Sequence, residues 1–234
     1  MATVNEAGGN QGGAHGRVKT AVLISGRGSN MQALLEAARA PAYPAEIALV
    51  VANTPAAAGL GHAAAAGVPT AVVEQADFAS RAGFEAALDA TLASAGIDLV
   101  CLAGFMRVLT ADFVDRWRDR LINIHPSLLP AFPGAHAVTE ALAAGVKITG
   151  TTVHFVREAV DDGPVIGQAA VPVLNGDGEA ALGARIRAVE HRLYPRCLAA
   201  VAAGRVSVVG KWVDLGTPGV ESDPDLPALI HPQR

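Results

Sequence analysis

The sequence predicts an α/β fold in a single domain, with a mostly parallel twisted sheet, helices on both faces and an antiparallel addition near the C-terminal end. Short apolar runs rich in β-branched residues recur every 20 to 30 residues, and Ala-rich segments separate them. This alternation stops after His125, where Pro126, Pro130 and Pro133 interrupt the chain. The 234 residues, 51% of them hydrophobic, are enough for one buried core.

The first half of the chain carries the alternating pattern. The run VKTAVLI predicts a buried parallel strand because it is continuously apolar and ends in Ser25-Gly26. On the same grounds the predicted strands are 18–24, 46–52, 70–73, 98–102 and 121–125. The segments between them predict helices over 30–40, 56–66 and 81–95 and from residue 110. Gly67 and Gly96 follow two of these helices, as is typical of helix C-termini.

The second half predicts a different arrangement. We expect a helix over 139–144, two strands over 150–156 and 165–173 that loop 157–164 can join as a hairpin, a long helix over 178–203 interrupted or kinked near Pro195, and a short strand over 206–209. The predicted organisation is a flexible extension over 1–16, the folded domain over 17–214 and a Pro-rich tail over 215–234.

Composition excludes several classes of function. The formal net charge is −4 and no basic run occurs, so we expect no nucleic-acid partner. No apolar run approaches the ~20 residues that cross a bilayer, and residues 1–16 lack the pattern of a secretory signal, so we expect no membrane partner and a cytoplasmic location. Cys101 and Cys197 lie too far apart for a CxxC site, and no histidine spacing suggests a metal.

The first candidate motif is Ser25-Gly-Arg-Gly-Ser-Asn30, between the first predicted strand and helix. Its glycines allow the backbone to approach a ligand, and the free N–H groups of a helix N-terminus favour a phosphate. The motif is not the dinucleotide fingerprint, because Met31 stands at the third glycine position. The alternative is a tight turn followed by a helix cap from Ser29 or Asn30.

The second motif is Asn123-Ile-His-Pro-Ser-Leu-Leu-Pro130. Asn123 and His125 are two residues apart on a predicted strand, so both side chains point to one face near the strand's C-terminal end. An amide and an imidazole there can donate two hydrogen bonds to one oxygen, as an oxyanion site requires. The alternative is a core histidine with a satisfied neighbour.

The third motif is Asp161-Asp162-Gly163-Pro164, in the loop between the two later strands. These residues are ordinary turn formers, which is the structural interpretation. The functional hypothesis is a carboxylate that orients His125 and helps to move a proton.

Taken together, LISGRGSNMQAL, LAGFMRVL, INIHPSLLPAFPG, GTTVHFV, DDGPVIGQ and EHRLYP resemble the phosphoribosylglycinamide formyltransferase family of folate-dependent enzymes. The resemblance runs from about Val18 to Trp212. It implies a Rossmann-like formyltransferase fold. It also implies transfer of a formyl group from 10-formyltetrahydrofolate, as co-substrate, to the amine of glycinamide ribonucleotide, through a tetrahedral intermediate and without a metal.

The resemblance also assigns residues. It implies that the catalytic residues are Asn123, His125 and Asp161. It implies that the ribonucleotide is bound by Gly28, Ser29, Asn30 and, through the ribose hydroxyls, Glu190. It implies that the folate is bound by Arg81, Met106, Arg107, Val108, Leu109, Asn123, Glu158, Ala159 and Val160. Ser127 and His136 are given supporting roles near this site. The partners it implies are small-molecule substrates, and it leaves a homodimer open.

Two alternative classes of function remain. Another folate-dependent formyltransferase or a formyltetrahydrofolate hydrolase would share INIHPSLLP and the DGP turn. A non-catalytic nucleotide- or folate-binding module would be expected to lack one of Asn123, His125 and Asp161, and all three are present.

Overall fold

The computed structural model describes residues 16–215 and the backbone of residues 230–231, and these form an α/β domain around one large sheet. Its strands are β1 (Val18–Ile24), β2 (Ala45–Ala52), β3 (Thr70–Val72), β4 (Leu99–Leu102), β5 (Leu121–His125), β6 (Ile148–Phe155), β7 (Val165–Pro172) and β10 (Ile230–His231), in the spatial order β10-β7-β6-β5-β4-β1-β2-β3. A separate antiparallel hairpin consists of β8 (Ser207–Val209) and β9 (Trp212–Asp214). The predicted fold class, including the antiparallel addition, is confirmed.

Helices cover both faces of the sheet. They are α1 (Ser29–Ala38), α2 (Gly59–Ala65), α3 (Arg81–Ser94), α4 (Ala111–Arg116), α5 (Ala137–Ala143) and α6 (Glu179–Ala202). Alternate residues of β1 enter two separate cores: Val22 packs with residues of α1 and α6, and Leu23 packs with residues of α3 and α4. The continuous apolar run of β1 is therefore explained by burial on both sides.

Most predicted elements are confirmed within one to three residues, and three differ in a way that has a physical cause. The helix predicted over 56–66 begins only at Gly59, after a turn that follows Pro55. The helix predicted to be interrupted or kinked near Pro195 is one uninterrupted helix of 24 residues, α6, that contains Pro195. The hairpin partner β9 was not predicted, since Trp212–Asp214 is too short to show a periodic pattern.

The order of the strands creates a crevice between β1 and β4. From β1 the chain proceeds to β2 and β3 on one side, and it then crosses over to β4 and β5 on the other. All five of these strands are parallel, so their C-terminal ends meet at one edge. Ligands of open α/β sheets bind at such a reversal of strand order, outside the C-terminal ends of the strands.

The antiparallel strands β6 and β7 extend the sheet from β5 and bring further polar side chains to this edge. In register, Asn123 lies opposite His154, and His125 lies opposite Thr152, which in turn lies opposite Gln168 of β7. Directly opposed residues of neighbouring strands project to the same face of a sheet. Two polar rows therefore cross from β5 into the antiparallel strands. Within the described part of the chain, no helix is long and apolar enough to span a membrane.

The core contacts of α3 give a stability prediction. Leu88 is fully buried between this helix and the sheet. We expect Leu88→Ala to lower the free energy of unfolding by about 2–5 kcal/mol, because it removes buried methyl groups and leaves a cavity. Urea unfolding measures the change.

The matched control is Leu174→Ala, since the Leu174 side chain is 53% exposed. We expect that variant to change the free energy of unfolding by less than about 1 kcal/mol. Equal losses in the two variants would contradict the placement of Leu88 in the core.

Candidate active site

A cavity of about 410 Å³ opens at the C-terminal ends of β4 and β5. One wall is the segment after β4, with Met106 and Val108 exposed at the mouth. The other wall is the loop between β6 and β7. Asn123, His125 and Asp161 all line this cavity, so the structure brings together three groups that come from separate segments.

The His125 ring lies between two acceptor oxygens. Its Nδ1 atom is 3.3 Å from Oδ2 of Asp161, and its Nε2 atom is 2.8 Å from the carbonyl oxygen of Phe132. Because a carbonyl and a carboxylate only accept hydrogen bonds, the ring satisfies both contacts only when both nitrogens carry protons. The side chains of His125 and Asp161 are nearly buried, so water screens their ion pair weakly.

The position of Asp161 depends on an unusual turn. Its backbone φ is 55°, in the left-handed region that Asp tolerates better than most residues. The backbone N–H of Gly134 donates to its Oδ2 atom at 2.8 Å. Two residues later, any Cβ on Gly163 would lie 1.6 Å from the carbonyl oxygen of Phe155. Only glycine fits there, and the turn that carries the carboxylate is thereby held against β6.

His154 completes the cluster, and the sequence analysis missed it. Its Nδ1 atom faces the carbonyl oxygen of Phe155 at 3.0 Å, and its Nε2 atom lies 3.3 Å from Nδ2 of Asn123 and 3.6 Å from Oδ1 of Asp161. The neutral ring accepts from the Asn123 amide, and the charged ring pairs with the carboxylate. The signal was available: a polar residue inside the apolar run VHFV opposes Asn123 once the later strand is placed beside β5.

The pKa values of the Asp161 and Glu190 carboxyl groups are shifted in opposite directions. Burial alone raises the pKa of Asp161, but the His154 ring at 3.6 Å, the hydrogen bond from the Gly134 backbone and the charge of His125 outweigh burial and hold that pKa below its ordinary value. Burial raises the pKa of Glu190, and the Asn30 amide and the Arg187 charge only partly oppose it.

The glycine motif forms the turn from β1 into α1. Gly28, not Ser29 or Asn30, is the N-cap of the helix, with a φ of 72°, and a Cβ there would lie 3.2 Å from the Cα of Gly59. Ser29 and Asn30 are therefore the first residues of α1, whose N–H groups have no acceptor within the helix. The predicted capping role of these two residues is wrong, and the binding of an anion by their N–H groups stays a prediction.

Glu190 of α6 contacts this turn. The Asn30 amide donates to Oε2 of Glu190 at 2.8 Å, and Oδ1 of Asn30 is buried without a hydrogen-bond partner. The turn is also joined to the cavity, since the Met106 N–H donates to the Ser25 hydroxyl at 2.8 Å. β1 and β5 are separated only by β4, so these two strands lie two strand spacings, roughly 10 Å, apart in the sheet.

The remaining predicted site residues divide into two groups. The cavity lining includes Met106, Arg107, Val108, Leu109, Glu158 and Val160. It does not include Arg81, at the exposed start of α3, or Ala159. The Ser127 hydroxyl donates to the carbonyl of Ala131 at 2.5 Å, and His136 is exposed at the N-cap of α5.

Metal-ligating side chains are not clustered here: across residues 16–215, no group of three or more His, Cys, Asp or Glu side chains is arranged to hold a metal ion. The cavity thus offers hydrogen-bond donors, a buried ion pair and an apolar wall, which define a site for acid–base chemistry on a small molecule.

Comparisons with known proteins identify the class. The family model described as formyl transferase matches residues 18–198, which is most of the chain. The chain therefore belongs to the formyl transferase family, and the predicted resemblance is confirmed.

Proteins of known name are similar to most of this chain. The chain is 46% identical to the phosphoribosylglycinamide formyltransferase of Mycobacterium tuberculosis, over 83% of this chain and 90% of that protein. It is 48% identical to the human trifunctional purine biosynthetic protein adenosine-3 over 82% of this chain, but it spans only 19% of that protein's length, and 14% of the Drosophila melanogaster one.

Solved structures of proteins with these names also superpose on most of this chain. Glycinamide ribonucleotide transformylase 1 from Symbiobacterium toebii superposes with a TM-score of 0.83 at 46% identity, covering 85% of this chain and 93% of that one. Phosphoribosylglycinamide formyltransferase from Brucella melitensis superposes with a TM-score of 0.77 at 49% identity, covering 82% of this chain and 100% of that one.

The electrostatics of the cluster yield a pKa prediction. We expect the Asp161 carboxyl to titrate below the ordinary value of 3.8. We expect His154→Leu to raise its pKa, since the substitution removes the imidazole that lies 3.6 Å from the carboxylate and favours its charged form. Carboxyl ¹³C NMR measures both values. His62→Leu is the control, because His62 is exposed on α2 and does not line the cavity.

The same shift fixes the sign of the pH dependence of stability. A folded-state pKa below the unfolded value of about 3.9 means that the carboxylate stabilises the fold above about pH 4. That contribution is lost as the pH falls through the folded-state pKa. An unchanged Asp161 pKa in His154→Leu would contradict this arrangement.

Proposed function

We propose that this formyl transferase transfers the formyl group of 10-formyltetrahydrofolate to the amine of glycinamide ribonucleotide, in purine biosynthesis. The observation that carries the proposal is the joint placement of Asn123, His125 and Asp161 at a cavity whose edge also holds an anion-binding turn. The names of the relatives, phosphoribosylglycinamide formyltransferase among them, support the choice of substrates.

In this proposal the amine attacks the formyl carbon and the carbonyl oxygen becomes an oxyanion. Asn123 and His125 donate hydrogen bonds to that oxygen. The His125 Nε2–H, which now faces the Phe132 carbonyl at 2.8 Å, is the donor that the oxyanion takes. Each such donor lowers the barrier by about 2.7–4 kcal/mol, because its dipole is fixed before charge develops.

Asp161 orients the His125 ring through the 3.3 Å contact with Nδ1. It also relays the proton from the attacking amine to the leaving folate nitrogen, through water. His154 acts as a positioning residue in this scheme, because it contacts both Asn123 and Asp161 and is itself 2% exposed.

Each substrate has its own subsite in the proposal. The folate lies along Met106, Arg107, Val108 and Leu109 and against the loop 158–161, with Arg81 reached by its distal end. The ribonucleotide phosphate lies on the turn of Gly28, Ser29 and Asn30, and Glu190 accepts from the ribose hydroxyls. Holding both substrates at one edge supplies much of the rate, since the reaction becomes effectively unimolecular.

The roles of the three central residues are tested by substitution. We expect His125→Ala and Asp161→Asn to abolish transfer and Asn123→Ala to lower kcat about 100- to 1,000-fold, because each removes charge stabilisation in the transition state. Steady-state assays with both substrates measure this, and circular dichroism checks the fold.

The matched controls are His62→Ala and Asp162→Asn, which change exposed residues outside the cavity lining. Both should retain turnover. Near-normal turnover in His125→Ala or Asp161→Asn would reject these roles. Formate release at the full rate without the ribonucleotide would indicate a hydrolase instead, and binding of both substrates without transfer would indicate a non-catalytic module.

The phosphate subsite has a separate test. Ser29→Asp places a negative charge at the N-terminus of α1, where it competes with the phosphate. We expect the KM for the ribonucleotide to rise at least tenfold while the KM for the folate stays within about twofold. Ser94→Asp, at the exposed end of α3, is the control. A rise confined to the folate KM would reverse the two subsites.

The cytoplasmic location and a homodimer stay predictions. Gel filtration with light scattering measures the oligomeric state.

A further inference from the structure

Gln168, the last residue of the DDGPVIGQ motif, has no role in the proposed mechanism. It lies on β7, two strands away from His125, in the row His125–Thr152–Gln168. Its amide nitrogen donates to the carbonyl oxygen of Leu129 at 2.9 Å and to the Thr152 hydroxyl at 3.0 Å. A carbonyl can only accept, so the amide nitrogen must face this way, and both of its N–H groups are used.

The Thr152 hydroxyl uses all of its hydrogen-bonding capacity within the same network. It donates to the carbonyl oxygen of Ser127 at 2.7 Å, and it accepts from the Leu129 N–H at 3.0 Å and from Gln168. One hydrogen and two lone pairs are all that a hydroxyl has, so its direction is fixed. Gln168 and Thr152 thus hold three backbone groups of the turn that follows His125.

The turn that follows His125 contacts both His125 and Asp161. The Thr151 hydroxyl fixes the carbonyl of His125 itself at 2.9 Å. Beyond Leu129, the Phe132 carbonyl faces Nε2 of His125 at 2.8 Å, and the Gly134 N–H donates to Asp161 at 2.8 Å. Displacement of the turn would therefore alter contacts to His125 and Asp161 together.

We propose that Gln168 is a positioning residue for the reaction, which sets the geometry of the His125–Asp161 pair through Thr152 and the segment 127–134. The inference rests on the proposed function of that pair. Gln168 is not a member of the cavity lining, so it acts without touching substrate.

The experiment is Gln168→Met in the full chain, since methionine has nearly the same length and cannot donate. We expect kcat to fall about 10- to 100-fold, because displacing a catalytic group by up to about 1 Å slows the reaction by this much. We expect both KM values to stay within about twofold of the unsubstituted enzyme. We also expect the acid limb of the pH profile of kcat to move to higher pH, because loss of the Gly134 hydrogen bond raises the pKa of Asp161.

Gln32→Met is the matched control, on the exposed side of α1. It should leave kcat and the pH profile unchanged. A Gln168→Met protein with normal kcat and pH profile, or with lower stability as its only defect, would overturn the inference. So would a defect confined to KM. If the unsubstituted enzyme itself transfers no formyl group, the proposed function fails, which is a distinct result.

A second pair of variants keeps the inference testable if Gln168→Met does not fold. Thr152→Val removes the hydroxyl that makes these three hydrogen bonds, and Thr152→Ser keeps a hydroxyl at this position. We expect kcat to fall about tenfold or more in Thr152→Val and far less in Thr152→Ser, with the pH profile shifted only in the former. Equal losses in both variants would contradict a role for the hydroxyl network.

Discussion

The site depends on one contact, the nearly buried ion pair of Asp161 with His125, and the fold must do several things to maintain it. A carboxylate withdrawn from water needs fixed donors in place of hydration. Here they are the Gly134 N–H and the rings of His125 and His154. The left-handed turn at Asp161 and the absence of a side chain at Gly163 bring the carboxylate to that position.

The antiparallel strands β6 and β7 therefore contribute residues to the candidate site as well as extending the sheet. The five parallel strands supply Asn123, His125 and the turn after β1. Only β6 and β7 add the histidine opposite Asn123 and the loop that carries Asp161. Hydrogen bonds from the Met106 N–H to Ser25 and from the Asn30 amide to Glu190 then join the turn after β1 to the cavity wall and to α6.

The sequence predicts the fold well because the alternation of strands and helices is encoded locally, and the three residues predicted at one site line one cavity. Strand β5 is predicted to the residue, since its apolar run ends in a proline-rich turn. The pairing across strands is not local, and that is where prediction failed: register with Asn123 brings His154 into the cavity lining, and register with Thr152 brings Gln168 into contact with that residue. The N-cap was misassigned for a related reason, because the close approach of Gly59 to Gly28 cannot be read from either segment alone. The tail predicted over 215–234 lies almost wholly outside the described residues.

The most direct measurement is a crystal structure of the enzyme with a stable adduct that joins the ribonucleotide to the folate through a tetrahedral carbon bearing a hydroxyl. The account predicts that this hydroxyl oxygen lies about 3 Å from both the Asn123 amide nitrogen and the His125 ring, with the phosphate on the turn at Gly28. An oxygen that faces away from Asn123 and His125, or a phosphate bound elsewhere on the protein, would contradict it.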